Sequence, residues 1–127
     1  MMGYRFQYLE KGVVYINWFD RVTVDELEVG VKEINQVIDK ADDQIYVEII
    51  DLLECTAIPF DLRGLRRVAT HDHRIVGYII VNPNAFAKTM ANMLIQVTQL
   101  PFRFVSTPEV ALATARDILS QHTPTSA

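Results

Sequence analysis

Two apolar segments limit the folds that this chain can adopt. Residues 45–53 and 75–81 are almost continuously apolar and rich in β-branched side chains, which is typical of strands. A strand with one wet face alternates apolar and polar residues, so we expect these two strands in the centre of a sheet covered on both faces. Helical spacing in the segments around them indicates parallel strands joined by helices.

The remaining segments complete the order ββαβαβαβα. Further strands are expected at residues 5–9, 13–19 and 102–105, and helices at residues 60–70 and 85–99. Two more helices should begin after Thr23, which opens a capping box with Glu26, and after Thr107, which precedes a proline. The prediction is an α/β fold with a mixed, mostly parallel five-stranded sheet and four helices. Residues 1–121 should form one domain, and we expect the tail, residues 122–127, to be disordered.

Composition narrows the class of protein. The chain has 127 residues, of which 50% are hydrophobic and 22% are charged, as in soluble globular domains. Its single cysteine excludes an internal disulfide and is compatible with the reducing cytoplasm. The apolar runs are too short to span a membrane, and no signal peptide is expected. The five glycines are scattered singly, so we predict no phosphate-binding loop and no cofactor.

Charge is unevenly distributed along the chain. Residues 20–54 carry eleven acidic and three basic side chains, whereas residues 61–103 carry six basic and two acidic ones. Such polarity suits a protein partner of complementary charge, although two ordinary solvated faces explain it equally well. Nucleic-acid binding is disfavoured because the basic set is small and the net charge is −4.

The element order and three local features resemble the STAS domain, the fold of bacterial anti-sigma-factor antagonists, and in particular its SpoIIAA-like branch. Asp51 ends the third strand, residues 61–65 (DLRGL) open the second helix, and Phe102–Phe104 precede Thr107–Ala111. The resemblance covers about residues 4–120. It implies a bacterial regulatory domain that binds a protein partner and is not an enzyme.

The same comparison identifies a missing switch. The STAS motif at this helix start is Asp-Ser-Ser/Thr-Gly-Leu, in which a kinase modifies the second hydroxyl residue. Asp61, Gly64 and Leu65 match, but Leu62 and Arg63 stand at the hydroxyl positions. A phosphate there would interact with the helix N-terminus, whereas Arg63 accepts no phosphate and carries a positive charge. We therefore expect a domain that is not regulated by phosphorylation at this position.

These considerations predict a docking surface on the second helix and the loop before it. Its residues are Asp61, Arg63, Gly64, Arg66 and Arg67, and it should favour an acidic protein partner.

A second hypothesis concerns the third helix, whose core face is expected to consist of Phe86, Met90, Met93, Leu94 and Val97. Ala87, Ala91 and Ile95 widen its apolar area, and methionine adapts to irregular shapes. A small apolar or lipid-like ligand between this helix and the sheet, or self-association as a homodimer, would use this area. A wide core face is the plainer alternative. The residues assigned to this site are Phe86, Met90, Met93, Leu94 and Ile95.

Other polar residues have structural explanations that we favour. His71-Asp72-His73 suits a polar loop better than a metal site, since a third ligand would have to come from elsewhere. Asp61 is expected to cap a helix, and Asp51 either serves a site at the sheet edge or holds the next loop. Cys55 is either a reactive thiol or an inert, half-buried one. We predict no catalytic residues and no metal, with hydrolase-type activity around Asp51 and Cys55 as the weakest alternative.

Overall fold

A five-stranded sheet forms the centre of the protein. The computed structural model describes residues 3–59 and 61–122. The strands are β1 (Tyr4–Glu10), β2 (Val13–Trp18), β3 (Asp20–Arg21), β4 (Tyr46–Asp51), β5 (Cys55–Ala57), β6 (Ile75–Val81) and β7 (Phe102–Val105). The main sheet has the order β1-β2-β4-β6-β7, in which β1 and β2 are antiparallel and all other pairs are parallel. The mixed, mostly parallel five-stranded sheet expected from the sequence is confirmed.

In the described residues four helices pack on this sheet, also as expected. They are α1 (Val24–Ala41), α2 (Leu62–Ala69), α3 (Ala85–Thr98) and α4 (Pro108–His122). Helices α1, α2 and α3 cover one face, here called the three-helix face, and α4 covers the other, the α4 face. No helix in the described part of the chain is both long and apolar enough to cross a membrane.

The apolar strand β4 lies between β2 and β6, with helices on both faces, which explains why it lacks the alternation of a half-exposed strand. Its residues alternate between the two faces as strand geometry requires. Val47 and Ile49 contact the α4 face, whereas Tyr46 and Ile50 contact the three-helix face. The two faces of the molecule are therefore built from alternate residues of the same strands.

Side-chain caps start the helices at the residues that the sequence indicated. The Thr23 hydroxyl accepts from the Glu26 amide, and the Glu26 carboxylate accepts from the Thr23 amide, each at 3.2 Å. The Asp61 carboxylate accepts from the Gly64 amide at 2.9 Å, and the Thr107 hydroxyl accepts from the Val110 amide at 3.2 Å. Each such cap contributes about 1 kcal/mol.

The segment between β4 and α2 differs from the prediction. Strand β4 ends at Asp51, and Leu53 lies in a turn with 70% of its surface exposed. Strand β5 then pairs in parallel with β3 to form a second, two-stranded sheet. Segments of two or three residues are too short to show a strand pattern. The expected helix start at Phe60 lies outside the described residues, as do residues 123–127 of the expected tail, while His122 ends α4.

The predicted core face of α3 is wrong in part. The residues that face the sheet are spaced as one helical stripe: Ala87, Met90, Ala91 and Leu94. The predicted core residues that instead lie 37–41% exposed are Phe86, Met93 and Val97. The prediction had placed Ala87 and Ala91 beside the core face rather than on it. Apolar residues on several sides of the helix leave the buried side undetermined by periodicity alone.

Candidate functional site

The loop after β4 is anchored by a buried aspartate. Asp51 is 6% exposed, and both of its carboxylate oxygens are used. One accepts from the Tyr15 hydroxyl, and the other accepts from the Leu53 amide at 2.9 Å. Burial, reinforced by the hydrogen bond to Asp51, raises the pKa of Tyr15 well above its usual value. Asp51 therefore holds the following loop, which was one of its two predicted roles.

The start of α2 is tightly packed. Gly64 is buried beneath the Asp61 cap. A Cβ atom at this position would lie 2.5 Å from Asp61 Oδ2 and 3.1 Å from Val24 Cγ2. Asp61 and Gly64, two of the residues that match the STAS motif, therefore define the geometry of this helix start.

The outer side of α2 carries three exposed arginines: Arg63, Arg66 and Arg67. With Asp61 they form what is here called the arginine surface. Arg67 donates to Glu28 of α1, with Nε 3.0 Å from Oε1. Among the described residues, neither Arg63 nor Arg66 makes an ion pair. The structure thus places the three predicted arginines on the exposed side of one short helix with Asp61 as its N-cap, whereas Gly64, also predicted for the docking surface, is buried.

A groove of about 280 Å³ adjoins the arginine surface between α1 and α2. Its polar lining residues are Glu28, Lys32, Arg67 and His71, and Val31 and Val68 form its floor. The groove therefore combines both signs of charge with two apolar valines, and polar, solvent-accessible side chains are typical of the rim of a protein interface.

The acidic half of the chain is less of a surface feature than its composition suggests. Asp43, Glu48 and Asp51 are 3–6% exposed, so they do not contribute to a solvated acidic face. Asp43 accepts from the Tyr8 hydroxyl at 2.6 Å and from the Gly12 amide at 3.1 Å. The positive α2 surface stays exposed, whereas part of the negative charge serves internal packing.

The His71-Asp72-His73 segment is organised around an arginine. Arg74 binds both carboxylate oxygens of the buried Asp72, at 3.0 and 2.6 Å, and also pairs with Asp39 at 2.7 Å. Burial acts to raise the pKa of Asp72, but the Arg74 hydrogen bonds outweigh it and lower that pKa below its usual value. In residues 3–59 and 61–122, no three His, Cys, Asp or Glu side chains are grouped closely enough to hold a metal ion.

Cys55 lies in β5, half-buried, with its sulfur 3.5 Å from the Ala57 carbonyl oxygen. Burial raises the pKa of its thiol. A raised pKa leaves less thiolate at neutral pH, which is the reverse of what a nucleophilic cysteine requires.

An apolar cleft of about 110 Å³ lies under α3, between the helix and the sheet. Of the five residues predicted for an apolar site, Met90 and Leu94 line it, and Ile95 packs beside them. Phe86 and Met93 do not line it. A second lobe of about 90 Å³ shares several walls with this cleft and contains Glu48. The prediction missed Glu48, although an acid in the middle of the apolar run of residues 45–53, flanked by Val47 and Ile49, was a visible signal.

The fold is SpoIIAA-like. The anti-sigma factor antagonist SpoIIAA in its unphosphorylated form superposes with a TM-score of 0.62 at 17% identity, over 89% of this chain and 97% of that one. An uncharacterised DUF3478-family protein with a SpoIIAA-like fold, from Shewanella loihica PV-4, gives 0.67 at 13% identity, over 89% and 94%. Phosphorylated SpoIIAA, a Bacillus cell fate determinant, gives 0.54 at 14%, over 87% and 97%.

These similarities confirm the fold expected from the STAS resemblance. Sequence comparison adds nothing to them, because no protein-family model matches the chain and no curated protein matches it.

Proposed function

We propose that this chain is a non-catalytic interaction domain of bacterial cytoplasmic regulation, which docks through the arginine surface onto an acidic partner protein. The observation that carries the proposal is the pair Arg63 and Arg66, exposed on one short, capped helix without acidic partners among the described residues. Exposed charges of one sign accelerate association with a partner of the opposite sign and select against other partners.

The SpoIIAA-like fold supports an interaction role, since one structural neighbour is described as an anti-sigma factor antagonist. That protein occurs in phosphorylated and unphosphorylated forms. In this chain Leu62 and Arg63 stand at the two hydroxyl positions of the STAS motif. We propose that Arg63 provides a permanent positive charge at the helix start, so docking does not depend on a phosphate at this position.

A charge-reversal experiment tests this surface. The tagged chain, its R63E/R66E variant and the control R103E would be used to capture proteins from an extract of the source organism, with quantification by mass spectrometry. Arg103 is also exposed but lies on the edge strand β7. We expect at least one acidic protein to be retained by the unmodified chain and by R103E and lost from R63E/R66E, with binding that weakens as salt increases. Equal capture by all three chains contradicts the proposal.

A second candidate function is the carriage or sensing of a small apolar ligand. It is favoured by the apolar cleft beneath α3, lined by Trp18, Ile50, Ile80, Leu94 and Phe102 among others. Native mass spectrometry of the purified protein tests it, and a mass equal to that of the bare chain counts against a co-purified ligand.

Self-association also stays a prediction, for which light scattering gives the solution mass.

A further inference from the structure

Glu48 is an acid in the interior of the three-helix face. It lies in the central strand β4, between Val14 of β2 and Tyr78 of β6 in the register of the sheet. Its surface is only 5% exposed. Within the described part of the chain, its carboxyl group makes no hydrogen bond or ion pair. Buried carboxylates in folded proteins are normally paired, so an unpaired one calls for an explanation.

The space beside Glu48 is lined by aromatic rings. The lobe of about 90 Å³ that contains Glu48 is bounded by Trp18, Tyr78 and Phe102, with Leu27 and Leu94. Trp18, Leu27, Leu94 and Phe102 also line the adjoining cleft of about 110 Å³. Glu48 is the only charged side chain among the described residues that line either lobe. Cavities of roughly 150 Å³ are known to admit benzene-sized molecules.

The neighbouring titratable groups supply no positive charge to Glu48. The pKa values of Tyr46 and Tyr78 are raised, first by burial and then by the charge of Glu48, so both phenols stay neutral. The Tyr78 hydroxyl donates to the Ala69 carbonyl at 2.7 Å. The next charged groups, Asp72 and Arg74, are bound to each other. Burial raises the pKa of Glu48 to about 7, and no group of the chain described above offers a positive charge to stabilise its ionised form.

We propose that this cleft binds a small organic ammonium ion with an apolar body, whose nitrogen pairs with Glu48 and whose body lies among Trp18, Tyr78 and Phe102. An ammonium group compensates the buried carboxylate, and aromatic faces attract organic cations. Where Glu48 is still protonated, at or below about pH 7, binding releases its proton to solvent. The inference rests on the second candidate function, since it requires the cleft to admit a ligand, and adds the chemical class of that ligand.

Two small probes of equal size test the proposal. Benzylamine carries the ammonium group, and benzyl alcohol is its neutral counterpart. Trp18 is the only tryptophan of the chain and lines both lobes, so its fluorescence reports binding directly. We expect benzylamine to bind at least about tenfold more tightly at about pH 8 than at about pH 5.5, because Glu48 is ionised only at the higher pH. Benzyl alcohol should bind equally at both.

Variants extend the same titration. E48Q should weaken benzylamine at about pH 8 by roughly tenfold or more and leave benzyl alcohol unchanged. The control E54Q removes an exposed acid of the loop after β4 and should change the binding of neither probe. Equal, pH-independent binding of both probes overturns the role of Glu48 but leaves the second candidate function standing. If neither probe changes the Trp18 fluorescence, the role of Glu48 and the second candidate function are both overturned. The pH arm uses the unmodified chain, so the test does not depend on the folding of E48Q.

Discussion

The two faces of the sheet are packed in different ways. On the α4 face, the buried cluster consists entirely of small and branched aliphatic residues that are 0–2% exposed: Val13, Val47, Ile49, Ile79, Val81, Ala111, Ala115 and Ile118. On the three-helix face, the cluster contains several aromatic rings and lies beside the buried Glu48. It leaves unfilled the apolar cleft and its second lobe. The arginine surface is on a helix of the same face.

This difference separates stability from recognition. A close-packed aliphatic layer contributes strongly to the free energy of unfolding and has no space for a ligand. An incompletely filled layer with a buried acid contributes less per residue to the free energy of unfolding, and its unfilled space can admit a ligand. Because alternate residues of the same strands supply both layers, one sheet supports a rigid face and an adaptable one.

The largest expected effect tests this contrast with two neighbouring residues of β6. Ile79 is fully buried on the α4 face, and Ile80 lines the apolar cleft. We expect I79A to lower the free energy of unfolding by roughly 4 kcal/mol and I80A by roughly 2 kcal/mol, because Ile80 already has empty space beside it. Urea denaturation measures both. Equal losses would contradict the view that the two faces are packed differently.

The next effect is the pH dependence of stability. The pKa of Glu48 is about 7 in the folded protein and about 4.5 when exposed. Between these two pH values the folded state holds a proton on Glu48 that the unfolded state has lost. The stability of the folded protein is therefore highest below about pH 4.5 and decreases as the pH rises to about 7. The loss amounts to about 3 kcal/mol.

We expect the E48Q variant to lack this decline, while E54Q, at an exposed position, keeps it. Denaturant titrations from about pH 4.5 to about pH 8 measure it. An unchanged pH profile in E48Q would show that Glu48 is solvated rather than buried.

A smaller effect concerns two tyrosine–aspartate pairs, one packed against each face. Tyr15 belongs to the α4 face and donates to one oxygen of Asp51, which has no other donor among the described residues. Tyr8 belongs to the three-helix face and shares its Asp43 oxygen with the Gly12 amide. We expect Y15F to cost about 2 kcal/mol and Y8F about 1 kcal/mol, because Y15F removes the donor of its Asp51 oxygen, whereas in Y8F the Gly12 amide still donates to the same Asp43 oxygen. Thermal unfolding compares them, and the reverse order would refute this explanation.

The smallest effects are expected from the helix caps. One cap on each face is compared, so that a change in stability can be told apart from a change in partner binding. Both D61A on α2 and T107A on α4 should cost about 1 kcal/mol, since each removes one capping acceptor. Partner capture should fall only in D61A, which disturbs the start of the helix that carries the arginine surface. Loss of capture in T107A as well would indicate that global stability, rather than the local geometry of α2, controls binding.

Local sequence was sufficient for most of the fold and part of the candidate site. Strand and helix order follow from apolar spacing, and helix starts follow from caps whose atoms lie within three residues of each other, as at Thr23 and Asp61. The arginine surface was predictable for the same reason, because Arg63, Arg66 and Arg67 are close in sequence on one helix.

Only the tertiary structure decided which side of each element faces which partner. It placed the alanines of α3 rather than Phe86 and Met93 against the sheet, joined β3 to β5, and distributed the helices three to one. It also enclosed Glu48 among rings from β2, β6 and β7. These features depend on contacts between residues distant in sequence, where the fit of volumes and the loss of water determine the arrangement, and no short window of sequence contains that information.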